Sequence, residues 1–344
     1  MKNDHVTVRD LLASLVPRIT NDNLIMSGDS IGNTLHGMRK MNSVYPVVRD
    51  IVNIITKKMK IIDNMDQNAI SNSLYGMQGM TSSHIEVSEL LKILTEKLVN
   101  NNEEFSSKNI SLCLCGVRGM KSDQVEGRNF LSALIKKVKN CKEMFSAQDI
   151  SNSLFSLHNV KSNSSEVREL LNLLSINVRN CDEDFSIQNI SRSLHGLKNM
   201  TSYHSEVRNV LISLNIKVRT CKTYLSPLEI GNSFYGLRGM TSDHIEFREL
   251  LNSLLTHIKN CHVKFCLKSI TDSIHGMQGM SSDHDVVCKI IISLSDHIKK
   301  TIILKKDITV TVSSKSSPSN DVKWKLELLS KLYATHDKTL SEPK

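Results

Sequence analysis

The sequence predicts an all-α protein, a right-handed α-solenoid of paired antiparallel helices in about seven 40-residue repeats, and three observations carry that expectation. One stretch recurs, typified by Phe105-Ser-Ser-Lys-Asn-Ile110-Ser-Leu-Cys-Leu-Cys-Gly116-Val-Arg-Gly-Met120, with its isoleucine repeating at Ile31, Ile70, Ile110, Ile150, Ile190, Ile230 and Ile270. The first step is 39 residues and the other five are 40, and self-similarity at a fixed period of that size marks a stacked repeat protein. Within each copy the apolar residues follow helical spacing, bounded by helix-start residues. Prolines (5) and glycines (14) are few among 344 residues, which leaves little room for long irregular segments. A repeat array also evades the usual length-based domain count, because its core grows by addition.

Each unit opens with a first helix, A. Ser106 reads as its N-cap, since a serine hydroxyl accepts from a free backbone N–H of the first turn. Phe105 before it and Ile110 inside it are placed as a hydrophobic staple. Met26, Met65, Phe145, Phe185, Leu225 and Phe265 fill the staple position elsewhere, and Ser27, Asp66, Ser146, Ser186 and Ser226 the cap, with Cys266 as the exception. Pro227 suits the first helical position, and Glu229 is spaced for a capping box with Ser226. The apolar face runs Ile110, Leu114, Val117, at i, i+4, i+7.

After a short break such as Gly239-Met-Thr-Ser, a second helix, B, follows. Asp243 and Glu246 have capping-box spacing, repeated by Ser83/Glu86, Asp123/Glu126 and Asn163/Glu166. Its apolar face is Phe247, Leu251, Leu254 and Ile258. Asn100, Asn140, Asn180 and Asn260 close it and suit a left-handed C-terminal position. Alone such a hairpin leaves its apolar stripe bare; stacked on neighbours it does not. Cys141, Cys181, Cys221 and Cys261 form a ladder, one per unit, at the B-to-A turn. Stacked helices lie ~8–10 Å apart, beyond disulfide reach, so these are read as small buried residues in a reducing compartment. His5, His84, His204, His244 and His284 open helix B, one per unit without ligand-spaced partners, and read as a solvated first turn. Arg9, Arg49, Arg128, Arg168, Arg208 and Arg248 read as surface ion-pair partners in helix B.

The period covers residues 1–300. It begins in mid-repeat, because Asp4-His-Val-Thr-Val-Arg-Asp-Leu-Leu matches Asp243-His-Ile-Glu-Phe-Arg-Glu-Leu-Leu, so the opening helix B is either a cap or part of a longer array. Residues 301–344 read as a short strand (Ile308–Val312), a linker (313–320) and a C-terminal capping helix bearing Val322, Trp324, Leu326, Leu329 and Tyr333. There is no run of 18 apolar residues, hence no expected membrane span, and no clear transit peptide.

Function is sought on the side of helix A away from the core. On a wheel of ~100° per residue, the anchor and the fourth and seventh residues after it form the core. The sixth is Gly37, Gly76, Gly116, Ser156, Gly196, Gly236 or Gly276, on the flank that meets the next A helix. Opposite the core lie three columns. The second residue after the anchor is Asn33, Asn72, Leu112, Asn152, Arg192, Asn232 or Asp272. The fifth is His36, Tyr75, Cys115, Phe155, His195, Tyr235 or His275, six rings in seven copies. The eighth is Arg39, Gln78, Arg118, His158, Lys198, Arg238 or Gln278. Rings, short hydrogen-bonding side chains and long donors are what single-stranded RNA requires: stacking surfaces, base-edge partners and phosphate contacts. Aromatics at one repeat position also serve inter-repeat packing, and both readings stand at this point.

The net charge of +9 points towards a polyanionic partner, nucleic acid first, with a basic but inert surface as the alternative. No P-loop, GxSxG, HExxH, EF-hand loop or zinc-type Cys/His spacing is present, and a residue present in every unit makes a poor unique active site. Neither an enzyme nor a cofactor is expected.

The segments Ile70-Ser-Asn-Ser-Leu-Tyr-Gly-Met-Gln-Gly-Met80 and Ile230-Gly-Asn-Ser-Phe-Tyr-Gly-Leu-Arg-Gly-Met240 resemble the octotricopeptide repeat, whose helix A carries a Leu-Ala-Asn-Leu-Leu-Trp-Ala-Leu-type pattern. The heptatricopeptide repeats of organellar RNA-binding proteins look similar. The resemblance covers roughly residues 4–300. It implies paired-helix solenoids that bind organellar transcripts and act in RNA stability, processing or translation, in a mitochondrion or chloroplast. The chain lacks the family's Pro-Pro-Pro-Glu-Trp element, and a terminal RAP domain is not apparent. The expected partner is therefore single-stranded RNA, with a protein-interaction scaffold of the same shape as the alternative.

Overall fold

A computed structural model describes residues 5–21, 25–120 and 124–302; the strand, linker and capping helix expected after residue 302 lie outside the described residues. These fold into fifteen α-helices, with no strand among the described residues. Seven are short A helices: α2 (Gly28–Gly37), α4 (Gln67–Gly76), α6 (Ser107–Cys115), α8 (Ala147–Ser156), α10 (Ile187–His195), α12 (Pro227–Gly236) and α14 (Leu267–Gly276). Eight are longer B helices: α1 (Val6–Thr20), α3 (Pro46–Lys60), α5 (Ile85–Asn100), α7 (Val125–Asn140), α9 (Ser165–Asn180), α11 (Ser205–Thr220), α13 (Ile245–Lys259) and α15 (Asp285–Ile302). Each A helix packs on the A helices of the units before and after it, each B helix likewise, and A meets B within a unit. The one short step has a location: α3 spans 15 residues where α5 spans 16.

The core is built from the predicted positions. Ile31, Ile70, Ile110, Ile150, Ile190 and Ile230 are buried, as are Leu35, Leu74, Leu114, Leu154, Leu194 and Phe234 one turn on. Phe247, Leu251, Leu254 and Ile258 supply the matching face of α13. Each such side chain contributes roughly 1.5–3 kcal/mol by leaving water, shared between neighbouring units.

Polar contacts stitch the units at three levels. At the A-to-B turn, the buried hydroxyls of Ser43, Ser162, Ser202 and Ser242 accept from the backbone N–H of Thr81, Thr201, Thr241 and Ser281 in the next unit, at 2.8–3.3 Å. At the B-to-A turn, lysines reach back to the previous unit: Lys137 donates to Asn101 O and Lys217 to Cys181 O, each at 2.5 Å. Third, Glu103, Glu143 and Glu183 accept from the first N–H of the preceding unit's A helix, at Gln67, Ser107 and Ala147 (2.7–3.0 Å). A carboxylate at that point satisfies an orphan donor and suits the positive helix end.

Several local expectations need correction. Ser27, Asp66, Ser106, Ser146 and Ser186 do cap helix A, but Ser226 makes no cap bond to the backbone; its hydroxyl goes to the Glu229 carboxylate instead. Helix B starts one residue later than the Asp243/Glu246 spacing implies, with His244 at the N-cap. Asp243 is occupied by the Thr241 hydroxyl, and Glu246 faces Arg208 of the previous unit at 3.5 Å. No described residue, glycine included, has positive φ: Asn100, Asn140 and Asn180 are simply the last helical residues, and the chain leaves in extended conformation through Asn101, Cys141 and Cys181. The histidines at the start of helix B are half-buried, except His5. His284, for example, bonds the Ser242 hydroxyl of the previous unit at 3.0 Å. The arginine ladder does pair, Arg49 with Glu86 and Arg168 with Glu206, and it also donates to turn carbonyls, as Arg248 does to Ser242 O and Asp243 O. All described cysteines are free thiols. No described helix is long and apolar enough to cross a membrane.

Candidate nucleic-acid interface

Helix A turns one face to the core, and the three columns lie on the opposite, partly exposed side, where they meet the columns of neighbouring units. Asn33 and His275 are exposed; Asn72, Asn152, Arg192, Asn232 and Asp272, the rings His36, Tyr75, Phe155, His195 and Tyr235, and the donors Arg39, Gln78, Arg118, His158, Lys198, Arg238 and Gln278 are half-buried. Cys115 is buried.

The columns touch one another. His36 Nδ1 lies 3.3 Å from Asn72 Oδ1 of the next unit. Arg118 donates to Gln78 Oε1 and Arg192 to Asn152 Oδ1, both at 2.8 Å. Arg238 donates to Lys198 O at 3.1 Å, Asn199 Oδ1 at 2.8 Å and the Tyr235 hydroxyl at 3.1 Å. Gln278 meets His275 at 2.8 Å, and Arg39 donates to His36 O at 3.3 Å.

The rings pack on each other along the stack. Centroids are 5.1 Å apart for His36–Tyr75, 5.5 Å for Phe155–His195, 5.6 Å for His195–Tyr235 and 6.2 Å for Tyr235–His275. Each inner ring therefore uses part of its faces on its neighbours. Sequence reasoning passed over Asn159 and Asn199, whose amides donate to Arg118 O and His158 O at 2.9 Å. The signal was present: the ninth position is glycine at Gly79, Gly119, Gly239 and Gly279, and switches to asparagine only in these two units. At one end, an open depression of about 510 Å³ lies between successive A-to-B turns, lined by Tyr203, Arg238, Asp243 and Gln278 among others.

Charge is the most distinctive property of the face. Its columns hold Arg39, Arg118, Arg192, Lys198 and Arg238 against one carboxylate, Asp272. Among the described residues every ion pair lies elsewhere, and none involves these five cations. They disturb one another instead. Burial and then Arg238 push the Lys198 ammonium down, and burial followed by Arg118 does the same to Arg192. Burial, then Lys198 and His158, drive His195 down to about 4. His158 is lowered chiefly by burial, aided by Lys198 and Arg118. Burial is the larger cause in each case, and the like charges nearby add to it by disfavouring the protonated form.

Acid should weaken the fold through this column and through His257. The buried His257 ring accepts from Leu225 N–H at Nδ1 (3.2 Å) and donates to Val218 O at Nε2 (3.1 Å), an arrangement that only the neutral ring satisfies; burial lowers its pKa accordingly. The unfolded chain takes up these protons near pH ~6.5, whereas folded His195 does so only near 4. The unfolded state thus binds more protons between those values, and stability falls as pH drops through that window. Urea midpoints measured from pH 7 to 4 should decline, and His195→Asn should remove about one proton from the slope. An unchanged slope in that variant contradicts the assignment.

No protein-family model matches the chain, and no curated protein matches it.

Proposed function

We propose that this chain is an RNA-binding helical-repeat protein, a right-handed α-solenoid of about seven 40-residue units that holds single-stranded RNA along its A-helix face. The observation that carries the reading is the set of five cations on that face without a carboxylate partner among the described residues. A partly desolvated row of like charges is costly alone and is relieved by a polyanion. Half-buried rings and amides beside the cations add base-edge and stacking contacts of the kind single strands use. The columns recur unit by unit, which suits a binder rather than an enzyme. A post-transcriptional role in RNA stability, processing or translation, and a mitochondrial or chloroplast setting, rest on the octotricopeptide-like resemblance alone.

A second reading, a protein-interaction scaffold of the same shape, draws on the ring column, because rings that already pack on each other offer less face to a base. Salt separates the two. Fluorescence anisotropy of a labelled single-stranded RNA should give log Kd rising with log salt at roughly 0.7 per phosphate contacted, hence about 3 for the four or five phosphates that five cations can engage. Absence of RNA binding at low salt, together with capture of a stoichiometric protein partner, moves the assignment to the scaffold.

A further inference from the structure

The repeating columns are interrupted once. Cys115 is the only fifth-position residue without a ring, and among the described residues no ring contact bridges Tyr75 and Phe155. A buried thiol is smaller than any ring in the column, and two guanidinium groups converge on the space. Arg118, from the unit of α6, and Arg192, from α10 two units on, each place Cζ 5.0 Å from the Phe155 centroid. No other ring of the column has two cations over it among the described residues.

The two arginines are held but not satisfied. A guanidinium has five N–H donors. Arg118 uses one on Gln78 and one, weakly, on Cys115 Sγ at 3.7 Å; Arg192 uses one on Asn152. All three acceptors are neutral. The Nε of each is shut off from solvent with no partner, and no ion pair touches either side chain. Burial and the neighbouring Arg118 both work against the charge on Arg192. Two like charges that share a partly desolvated place need an anion with several acceptor oxygens, and the guanidinium fork matches a phosphate.

We infer that Arg118 and Arg192, brought together by the gap at Cys115 and braced on Phe155, form a single phosphate seat in the middle of the A-helix face. Resting on the RNA-binding reading above, its natural occupant is one phosphodiester of the bound strand.

Two residues sharing one phosphate behave differently from two independent contacts. Single-stranded RNA affinity is measured by anisotropy for wild type, Arg118→Gln, Arg192→Gln and the double variant. Each single change should cost about 10-fold or more, and the double little beyond that, because the second arginine has lost its shared ligand. The salt slope should fall by about 0.7 in the double variant, the value for one phosphate on a single strand. Should the glutamine pair fail to fold, Arg118→Lys with Arg192→Lys replaces it: charge is kept, the fork is lost, and affinity should fall with the slope unchanged. In parallel, sodium pyrophosphate should raise the melting temperature of wild type and not of the double variant.

RNA binding equal in wild type and double variant, or losses that simply add, overturns the shared seat and leaves the RNA reading standing. Pyrophosphate stabilisation that needs both arginines, with no RNA bound by wild type, keeps the seat and removes the RNA reading. If neither ligand binds wild type, both fall.

Discussion

Arg118→Glu, Lys198→Glu and Arg238→Glu combined are expected to reduce affinity for single-stranded RNA by about four orders of magnitude. Each reversal removes an attraction and installs a repulsion, each about 1 kcal/mol even at the fully screened bulk-water value, so three amount to ~6 kcal/mol, or ~10⁴-fold. The three lie in the same column of the face, in the units of α6, α10 and α12, and all are half-buried. The corresponding glutamine triple loses only the attractions and should lie near the midpoint on a logarithmic scale. Arg238 also braces Lys198 O and Asn199 Oδ1, so circular dichroism and a melting curve must accompany the binding curves. A folded glutamate triple with unchanged RNA anisotropy removes the functional assignment.

How much of this was legible before the helices were placed depends on the range over which each signal acts. The helical hairpins and their core were readable because burial repeats with the backbone period: Ile110 and Leu114 must share a face whatever surrounds them. The glycine column was readable as a close approach, since a small residue at a fixed flank position implies a close neighbour, but that neighbour is the preceding A helix and not the next one: Gly196 lies against Leu154 of α8. The inter-unit contacts were not readable. Glu143 recurs at the same place as Glu103 and Glu183, yet nothing local says that its carboxylate caps α6 of the unit before. The N-terminus of helix B was misjudged by one residue because Asp243 and Glu246 satisfy a local rule while tertiary partners, Thr241 and Arg208, claim their carboxylates. On the candidate face, the columns followed from the wheel, but the meeting of Arg118 and Arg192 at Phe155 joins side chains from units two steps apart in the chain. A smaller residue at one place in a column marks a gap; what fills that gap is decided by side chains from other units.

The glycine column gives the sharpest test of the stack itself. A methyl group at Gly196 would lie 2.1 Å from Leu154 O, 2.4 Å from its carbonyl carbon and 2.9 Å from Phe155 N. These are backbone atoms of α8, and the Leu154 carbonyl already accepts from Leu157 N–H at 3.0 Å, so it cannot turn aside without breaking a bond. Overpacking against side chains costs ~1–3 kcal/mol, and against fixed backbone the cost should exceed that range. Gly196→Ala must therefore force α10 away from α8. Stability in a repeat array is a sum of unit and nearest-neighbour terms, so weakening one interface in mid-chain should split a single urea transition into two. Gly37→Ala is the matched control: it occupies the same position of its unit, with no atom beyond its own helical turn within 4 Å of the added carbon. Alanine is the better helix former, so that variant should unfold at or slightly above the wild-type midpoint. If the two variants unfold alike, the A helices do not approach as closely as the glycines require, and the continuous face on which the cations and rings are aligned loses its physical basis.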